Sequence, residues 1–440
     1  RQMCIRDSRN LSRVRRLSGT MSDLRHTGPM GRNDVVAIVQ AGGRGSRMEV
    51  LTERRAKPAL PFGGNYQLID FSLSNLHHSG IDDVWLCVQY QADSLLQEVA
   101  GGRPWDLDRT RGGLRVVLPE ESDDEDTEDG FATGNADLLY RIRDRIAARA
   151  PSAVIVMSAD HVYDFDLSDA LRTHVDSDAE CTLVTTTCSL EEAVSHATVR
   201  TRRDGTVSEF RYKPERASTR VIAAEIFIYR PDVLIEGLED LYPSTVASGD
   251  DESDTGLGDF GDHLIPWFVD RGKTVTHRLP GYWIDAGRPE TYLQAHRDLI
   301  DGTIDLFRPS WPILTRQPQR NAARIDEGAI VADSLISSGA RVAGTVRRSV
   351  LGPGVVVERG AVVSDSIIFS DTIIRSGAEV SWSIVDERVR IGPDARVGGR
   401  PRTRPVPTDR ITLIGMEAQV TTGARVGMGE RLAAGSRRIS

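Results

Sequence analysis

The stretch VLGPGVVVERGAVVSDSIIFSDTIIRSGAEV, Val350 to Val380, decides the fold of the C-terminal part of the chain. Val350, Val356, Val362, Ile368, Ile374 and Val380 recur at every sixth position. A period of six fits neither the 3.6 of a helix nor the 2 of a strand. It is the hexapeptide repeat of a β-helix, whose coils turn three corners and stack aliphatic side chains inward. The pattern reaches back through Ile330, Ile336 and Val342 and forward through Val385, Ile391 and Val397. Glycines such as Gly339, Gly354, Gly360 and Gly377 fall beside these positions, where corners need unusual dihedrals. The repeat breaks at GGRPRTRPVPTDR, Gly398 to Arg410, and resumes with Ile414, Val420 and Val426. A loop leaving the coil is expected there, and a frayed tail over the final AAGSRRIS. A sandwich of valine-rich strands is the competing reading.

Upstream the pattern is different. Val35–Gln40, Asp83–Val88, Ala153–Ser158 and Cys181–Thr187 read as buried strands. The amphipathic stretches Tyr66–Ser79 and Ala136–Ala148 read as helices between them. Such alternation predicts an α/β domain with a mostly parallel sheet, which binds ligands at the carboxyl ends of its strands. Two acidic segments, Glu120–Gly130 and Ser248–Asp259, lack apolar periodicity and are expected to be solvated loops.

Bulk properties narrow the function classes. The net charge of −9 over 440 residues argues against a nucleic-acid binder, which needs a basic face. Four cysteines without paired or metal spacing suit a reducing, cytoplasmic setting. No apolar run approaches the ~20 residues of a membrane helix. Residues 1–34 are basic, polar and aperiodic, and are expected to be a disordered or non-native extension.

The candidate chemistry starts where the first strand ends. In VVAIVQAGGRGSRMEVLTERRAKPAL, Gly42, Gly43 and Gly45 follow a strand, and Arg44, Arg47, Arg54, Arg55 and Lys57 follow the glycines. A glycine turn lets backbone amides approach phosphate. The nucleotide-binding P-loop pattern is absent, and the dinucleotide fingerprint fails at Met48. Cations beside such a turn neutralise charge on a triphosphate during attack at phosphorus. That chemistry usually needs Mg²⁺ on one or two carboxylates. Asp160, after Ala153–Ser158, and Asp285, in YWIDAG, are the candidates.

These residues resemble the sugar-nucleotide pyrophosphorylase family, closest to its ADP-glucose branch. The resemblance rests on AGGRGSRMEVLTERRAKPALPFGG, LIDFSLSN, VQYQADSL, SADHVY, DFGDHLIP and YWIDAG, in that order, and on the β-helix. It implies an α/β nucleotidyltransferase domain over 35–300, a linker over 301–325 and a left-handed parallel β-helix over 326–440, with an inserted loop near 398–410. It also implies transfer of an adenylyl group from ATP to glucose 1-phosphate, by a homotetramer in a family of allosteric enzymes that supply glycogen or α-glucan synthesis. By the same analogy Gln40, Ala41, Gly42, Gly43, Gly45, Gln89 and Gly134 bind the nucleotide. Arg47, Lys57 and Asp160 are catalytic, and Asp160 and Asp285 hold Mg²⁺. Lys213, Tyr212, Ala197 and Glu225 face the sugar phosphate, and Arg54 lies where a sugar-phosphate effector binds.

The chain departs from the family where base and sugar are met. FATGNADL, Phe131 to Leu138, replaces W-Y-R-G-T-A-D-A, placing Ala132 where an aromatic is usual. Tyr212 replaces a glutamate, Ala197 a glycine, and Ala223–Ala224–Glu225 the usual S-M-G. Another base (dTTP or UTP) or another sugar 1-phosphate is therefore the alternative, and Glu225 suggests an aminosugar such as glucosamine 1-phosphate. An acetyl-CoA-dependent acyltransferase is disfavoured, because residues 326–440 contain no histidine. A noncatalytic regulatory subunit is disfavoured because Arg47, Lys57, Asp160, Lys213 and Asp285 are all retained.

Overall fold

The computed structural model describes residues 34–43, 45–119, 132, 134–246, 256–401 and 406–439. Arg44, Phe131, the first acidic segment and all but Asp34 of the expected N-terminal extension lie outside the described residues.

The first strand, Val35–Ala41, is buried along its whole length. It pairs in parallel with Asp83–Val88 on one side and Ala153–Ser158 on the other. Strands covered on both faces read as continuous apolar runs, which is why these three were visible in the sequence. Gly113–Val117 extends the parallel array beyond Asp83–Val88. On the other flank Val221–Tyr229 runs antiparallel to Ala153–Ser158 and to Cys181–Thr187. Among the described residues the sheet has nine strands and is mixed, with its parallel part at the centre. No helix among the described residues is long and apolar enough to cross a membrane.

Three local expectations need correction. Tyr66–Gln67 is a two-residue strand, and the helix begins at Leu68, where Gln67 and Asp70 form a capping box. The second expected helix is two, Asn135–Arg141 and Arg143–Arg149, broken at Ile142. The end of the second acidic segment is not solvated: Leu257 is fully buried, and the Gly258 carbonyl accepts the Ala136 N–H at 3.1 Å.

From Arg324 to Arg438 the described residues wind through three parallel sheets of seven, six and six strands, a left-handed parallel β-helix. In the middle coils facing residues are 17 apart, as in Ile374 and Ile391, while an early pair such as Arg341 and Val356 is 15 apart. Seventeen is not a multiple of six, so one side of each such coil is a residue short. The inward row is Val357, Val363, Ile368, Ile374, Val380, Val385, Ile391 and Val397. The strict sixfold frame drifts off this row: Val356 is half-buried, Val362 is 38% exposed and Ile330 is 49% exposed. Within the runs VVV and AVV the neighbouring valine takes the inward place. The spacing of facing residues grows to 29 between Ile391 and Val420, which accommodates the insertion near Gly398–Arg410. The tail is not frayed, since Arg437–Arg438 pairs with Gln419–Val420 as a final rung.

The two halves share a core. Met48, Leu51, Phe62 and Tyr292 pack with Trp382, Ile384, Ile411 and Leu413 of the coils. The segment between the glycine turn and Lys57 therefore packs on the β-helix coils and on the helix Pro289–Ile300.

Candidate active site

Gln40, near the end of the first strand, donates from Nε2 to the Asn135 carbonyl at 3.0 Å. This ties the glycine turn to the helix that follows Gly134. A Cβ on Gly134 would lie 2.2 Å from the Gly258 carbonyl, so only glycine fits that crossing. Gly45 sits at φ +68°, and the Thr52 hydroxyl donates to its carbonyl at 2.8 Å, closing the turn Ser46–Thr52. Gln89 lies over Gly42, and its Oε1 is buried without a hydrogen-bond partner.

Lys57 is buried, on a short turn made rigid by Pro58. Its Nζ donates to Asp160 Oδ2 and lies 3.8 Å from Asp285 Oδ1. Asp160 follows its strand by two residues. Asp285 arrives by a different route: Trp283–Asp285 pairs antiparallel with His161–Tyr163, setting Asp285 opposite His161. Donor atoms of Asp160, His161 and Asp285 all lie within 4.8 Å of one another. Gly287 donates its N–H to Asp285 Oδ1 at 2.8 Å, and a Cβ there would lie 2.1 Å from Lys57 Nζ. The helix Leu68–His78 supports this corner through Ser72, which donates to the Ser158 carbonyl at 2.9 Å.

The electrostatics follow. Burial opposes the charge on Lys57, but Asp160 and Asp285 outweigh it and raise the ammonium's pKa. Burial likewise opposes the charge on Asp160, and Lys57 and His161 overcome it, holding the carboxyl below its usual range. Two carboxylates converging from separate strands suit a hard divalent cation.

Arg47 is exposed and, with Asp285, His196, Arg288 and Pro407, lines a cavity of about 480 Å³. On the sheet's antiparallel flank, the Tyr212 hydroxyl donates to Asp259 Oδ2 at 2.6 Å, and Lys213 Nζ donates to the Tyr212 oxygen at 2.6 Å. Ala197 packs on the core, its carbonyl accepting the Ala223 N–H at 2.9 Å. Glu225 Oε2 lies 3.7 Å from His161 Nε2. Arg54 is half-exposed and pairs with Glu417 of the β-helix at 3.0 Å.

Sequence reasoning missed His161, although it sits inside the quoted SADHVY. Its neighbours on a strand point to opposite faces, so only the pairing with Trp283–Asp285 reveals it. Arg55, one of the cations that follow the glycine turn, is buried and paired with Asp386 and Glu387 of the β-helix.

Comparison with known proteins accords with this geometry. The nucleotidyl transferase profile matches residues 36–302. The chain belongs to that family. A GlmU-like C-terminal hexapeptide profile matches residues 320–404 of this nucleotidyl transferase. It is 33% identical over 407 residues to the glucose-1-phosphate adenylyltransferase of Acetivibrio thermocellus, covering 90% of this chain and 92% of that one. It is 37% identical over 404 residues to the glucose-1-phosphate adenylyltransferase of Thermomicrobium roseum, with the same coverage. The protein of that name from Clostridium beijerinckii is 36% identical over 340 residues, 76% of this chain and 85% of its own.

Proposed function

We propose that the chain is a glucose-1-phosphate adenylyltransferase, converting ATP and glucose 1-phosphate to ADP-glucose and diphosphate for α-glucan synthesis. The observation that carries this reading is the meeting of Lys57, Asp160 and Asp285 beside the glycine turn, in a chain so similar to enzymes of that name. A phosphate oxygen of the sugar phosphate attacks the α-phosphorus of ATP. The bond to the β-phosphate oxygen breaks, and diphosphate leaves in line. No protein nucleophile is needed, so the protein's work is positioning and charge neutralisation.

The amides of Gly42, Gly43 and Gly45 cradle the phosphates, and the orphaned Gln89 Oε1 accepts an amino group of the base. Arg47 meets the leaving diphosphate from its exposed position. Lys57 holds Asp160 and Asp285 in register. Asp160 and Asp285 would hold Mg²⁺, which supplies charge neutralisation at the reacting phosphates when bound. Lys213, steadied by Tyr212, grips the sugar phosphate. A homotetramer, a cytoplasmic setting and a sugar-phosphate effector received near Arg54 complete the reading.

The test is diphosphate release by the purified chain with Mg²⁺, crossing ATP, UTP, dTTP, CTP and GTP with glucose 1-phosphate. Turnover preferring ATP supports the reading. Preference for another nucleotide keeps the mechanism and changes the product. Absence of turnover with every nucleotide overturns it.

A further inference from the structure

Glu225 occupies a costly position. It interrupts the strand Val221–Tyr229 at φ +53°, where the pairing with Cys181–Thr187 shifts register between Ala223 and Phe227. A left-handed conformation disfavours a residue with a Cβ by roughly 1 kcal/mol. Its carboxylate points toward His161, beside the cluster of Asp160 and Asp285, yet Glu225 is not one of the three whose donor atoms converge. The Tyr212 hydroxyl, which accepts from Lys213 Nζ at 2.6 Å, is near enough to feel the Glu225 charge.

The charges around it are uneven. Lys57 is matched by Asp160, with Asp285 close by. Among the described residues no lysine or arginine lies within ion-pair distance of Glu225. Its side chain is about one-third exposed, open to the site rather than sealed in the core. An unmatched carboxylate in a site built around other anions repels anionic ligands unless the ligand brings its own cation. Between the metal-type cluster and the sugar-phosphate lysine, that cation belongs to the sugar ring.

We propose that Glu225 is a specificity-determining residue that lets this site accept an amino-bearing sugar 1-phosphate, with a protonated ring amine facing the carboxylate. This rests on the nucleotidyl-transfer reading above. Glucosamine 1-phosphate is the probe, glucose 1-phosphate the neutral reference, and N-acetylglucosamine 1-phosphate the control whose amide carries no charge.

The experiment measures kcat/KM for all three with ATP and Mg²⁺ in the wild type, Glu225→Gln and Glu225→Gly. The glycine variant suits the backbone and guards against misfolding. The glucosamine-to-glucose ratio is expected to fall about tenfold or more in both variants, whatever the change in absolute activity on glucose 1-phosphate, and the N-acetyl sugar gains nothing. An unchanged ratio overturns the proposal. So does a parallel loss on both sugars that is rescued by raised Mg²⁺, which would make Glu225 a cation ligand. If no sugar phosphate turns over, the transfer reading fails by itself. Calorimetry with glucosamine 1-phosphate and glucose 1-phosphate, in a non-hydrolysable ATP analogue, then decides recognition separately, and equal affinities in wild type and Glu225→Gln overturn the proposal.

Discussion

The guanidinium of Arg55 lies 3.0 Å from Asp386 and 3.2 Å from Glu387, joining the catalytic-side segment to a β-helix coil. Arg55 and Asp386 are 5% and 1% exposed. Arg55 also stands over the Phe369 ring, 5.6 Å from its centre. Removing one partner of such a buried pair leaves the other uncompensated, at a cost of about 3 kcal/mol. Arg55→Ala is therefore expected to lower the denaturation midpoint strongly. Arg55→Ala combined with Asp386→Ala should lose less than the sum of the single changes. Denaturant titrations of the three variants check this, and simple additivity would show that the pair is not coupled.

Asp70 makes a pH prediction. It is buried at the start of the helix Leu68–His78, accepting the Gln67 N–H at 2.9 Å. Burial pushes its carboxyl up to about 8, despite that hydrogen bond. An unfolded aspartate titrates near 3.9, so between about pH 4 and 8 the folded chain binds the extra proton. The associated stability is fully present below the unfolded pKa and is lost as pH rises through 8. The slope is at most about 1.4 kcal/mol per pH unit. Asp70→Asn abolishes this contribution, so the variant gains on the wild type as pH rises from 5 to 8. Unfolding midpoints at four pH values test this, and a constant difference between the proteins would contradict it.

Gly287 controls the catalytic corner by having no side chain. A Cβ there would lie 2.1 Å from Lys57 Nζ and 2.5 Å from Asp285 Oδ1. Gly287→Ala must push apart the groups that Lys57 gathers. A drop in kcat of roughly tenfold or more is expected, with the global unfolding midpoint little changed. Lys57→Met is expected to be worse, on the order of 10²-fold, because Asp160 and Asp285 then face each other without a cation between them. Steady-state kinetics beside thermal unfolding separates these effects from simple misfolding.

The four strands named from the sequence were legible because apolar β-branched runs covered on both faces leave few alternatives. The β-helix was legible as a period, though not in phase. A repeat of six cannot report that a coil holds 17 residues, and the extra valines at Val357 and Val363 absorb the difference. The glycine turn, Lys57, Asp160 and Asp285 were legible as residue types at strand ends. Their meeting was not, because it depends on a three-residue ribbon between His161–Tyr163 and Trp283–Asp285, far apart in the chain. For the same reason a lone arginine in LTERRAKP carries no mark of burial. Asp386 and Glu387, more than 300 positions away, determine that Arg55 is interior while Arg54 is not.

The turn that carries Arg47 is held from the far end of the chain. Arg431 donates to both carboxylate oxygens of Glu49, at 2.6 and 2.9 Å, and also to the carbonyls of Ile411 and Thr408. Glu49 lies within Ser46–Thr52 at φ +52°, a conformation that a glutamate keeps only when its surroundings hold it. The bidentate pair supplies that hold, and lysine, a point charge without a fork, cannot reproduce it. Arg431→Lys is therefore expected to weaken the clamp and Arg431→Gln to release it. Released, the turn relaxes toward ordinary dihedrals and carries the Arg47 guanidinium with it. The expected signature is a several-fold rise in KM for ATP with a smaller fall in kcat, graded from lysine to glutamine, while the β-helix core from Val342 to Val426 stays folded. Glu49→Gly tests the same clamp from the other side: glycine tolerates the positive φ without strain, so the backbone keeps its shape without the ion pair. If Glu49→Gly retains the wild-type KM for ATP while Arg431→Gln does not, the clamp acts by holding backbone conformation. If both raise KM equally, the ion pair itself positions Arg47.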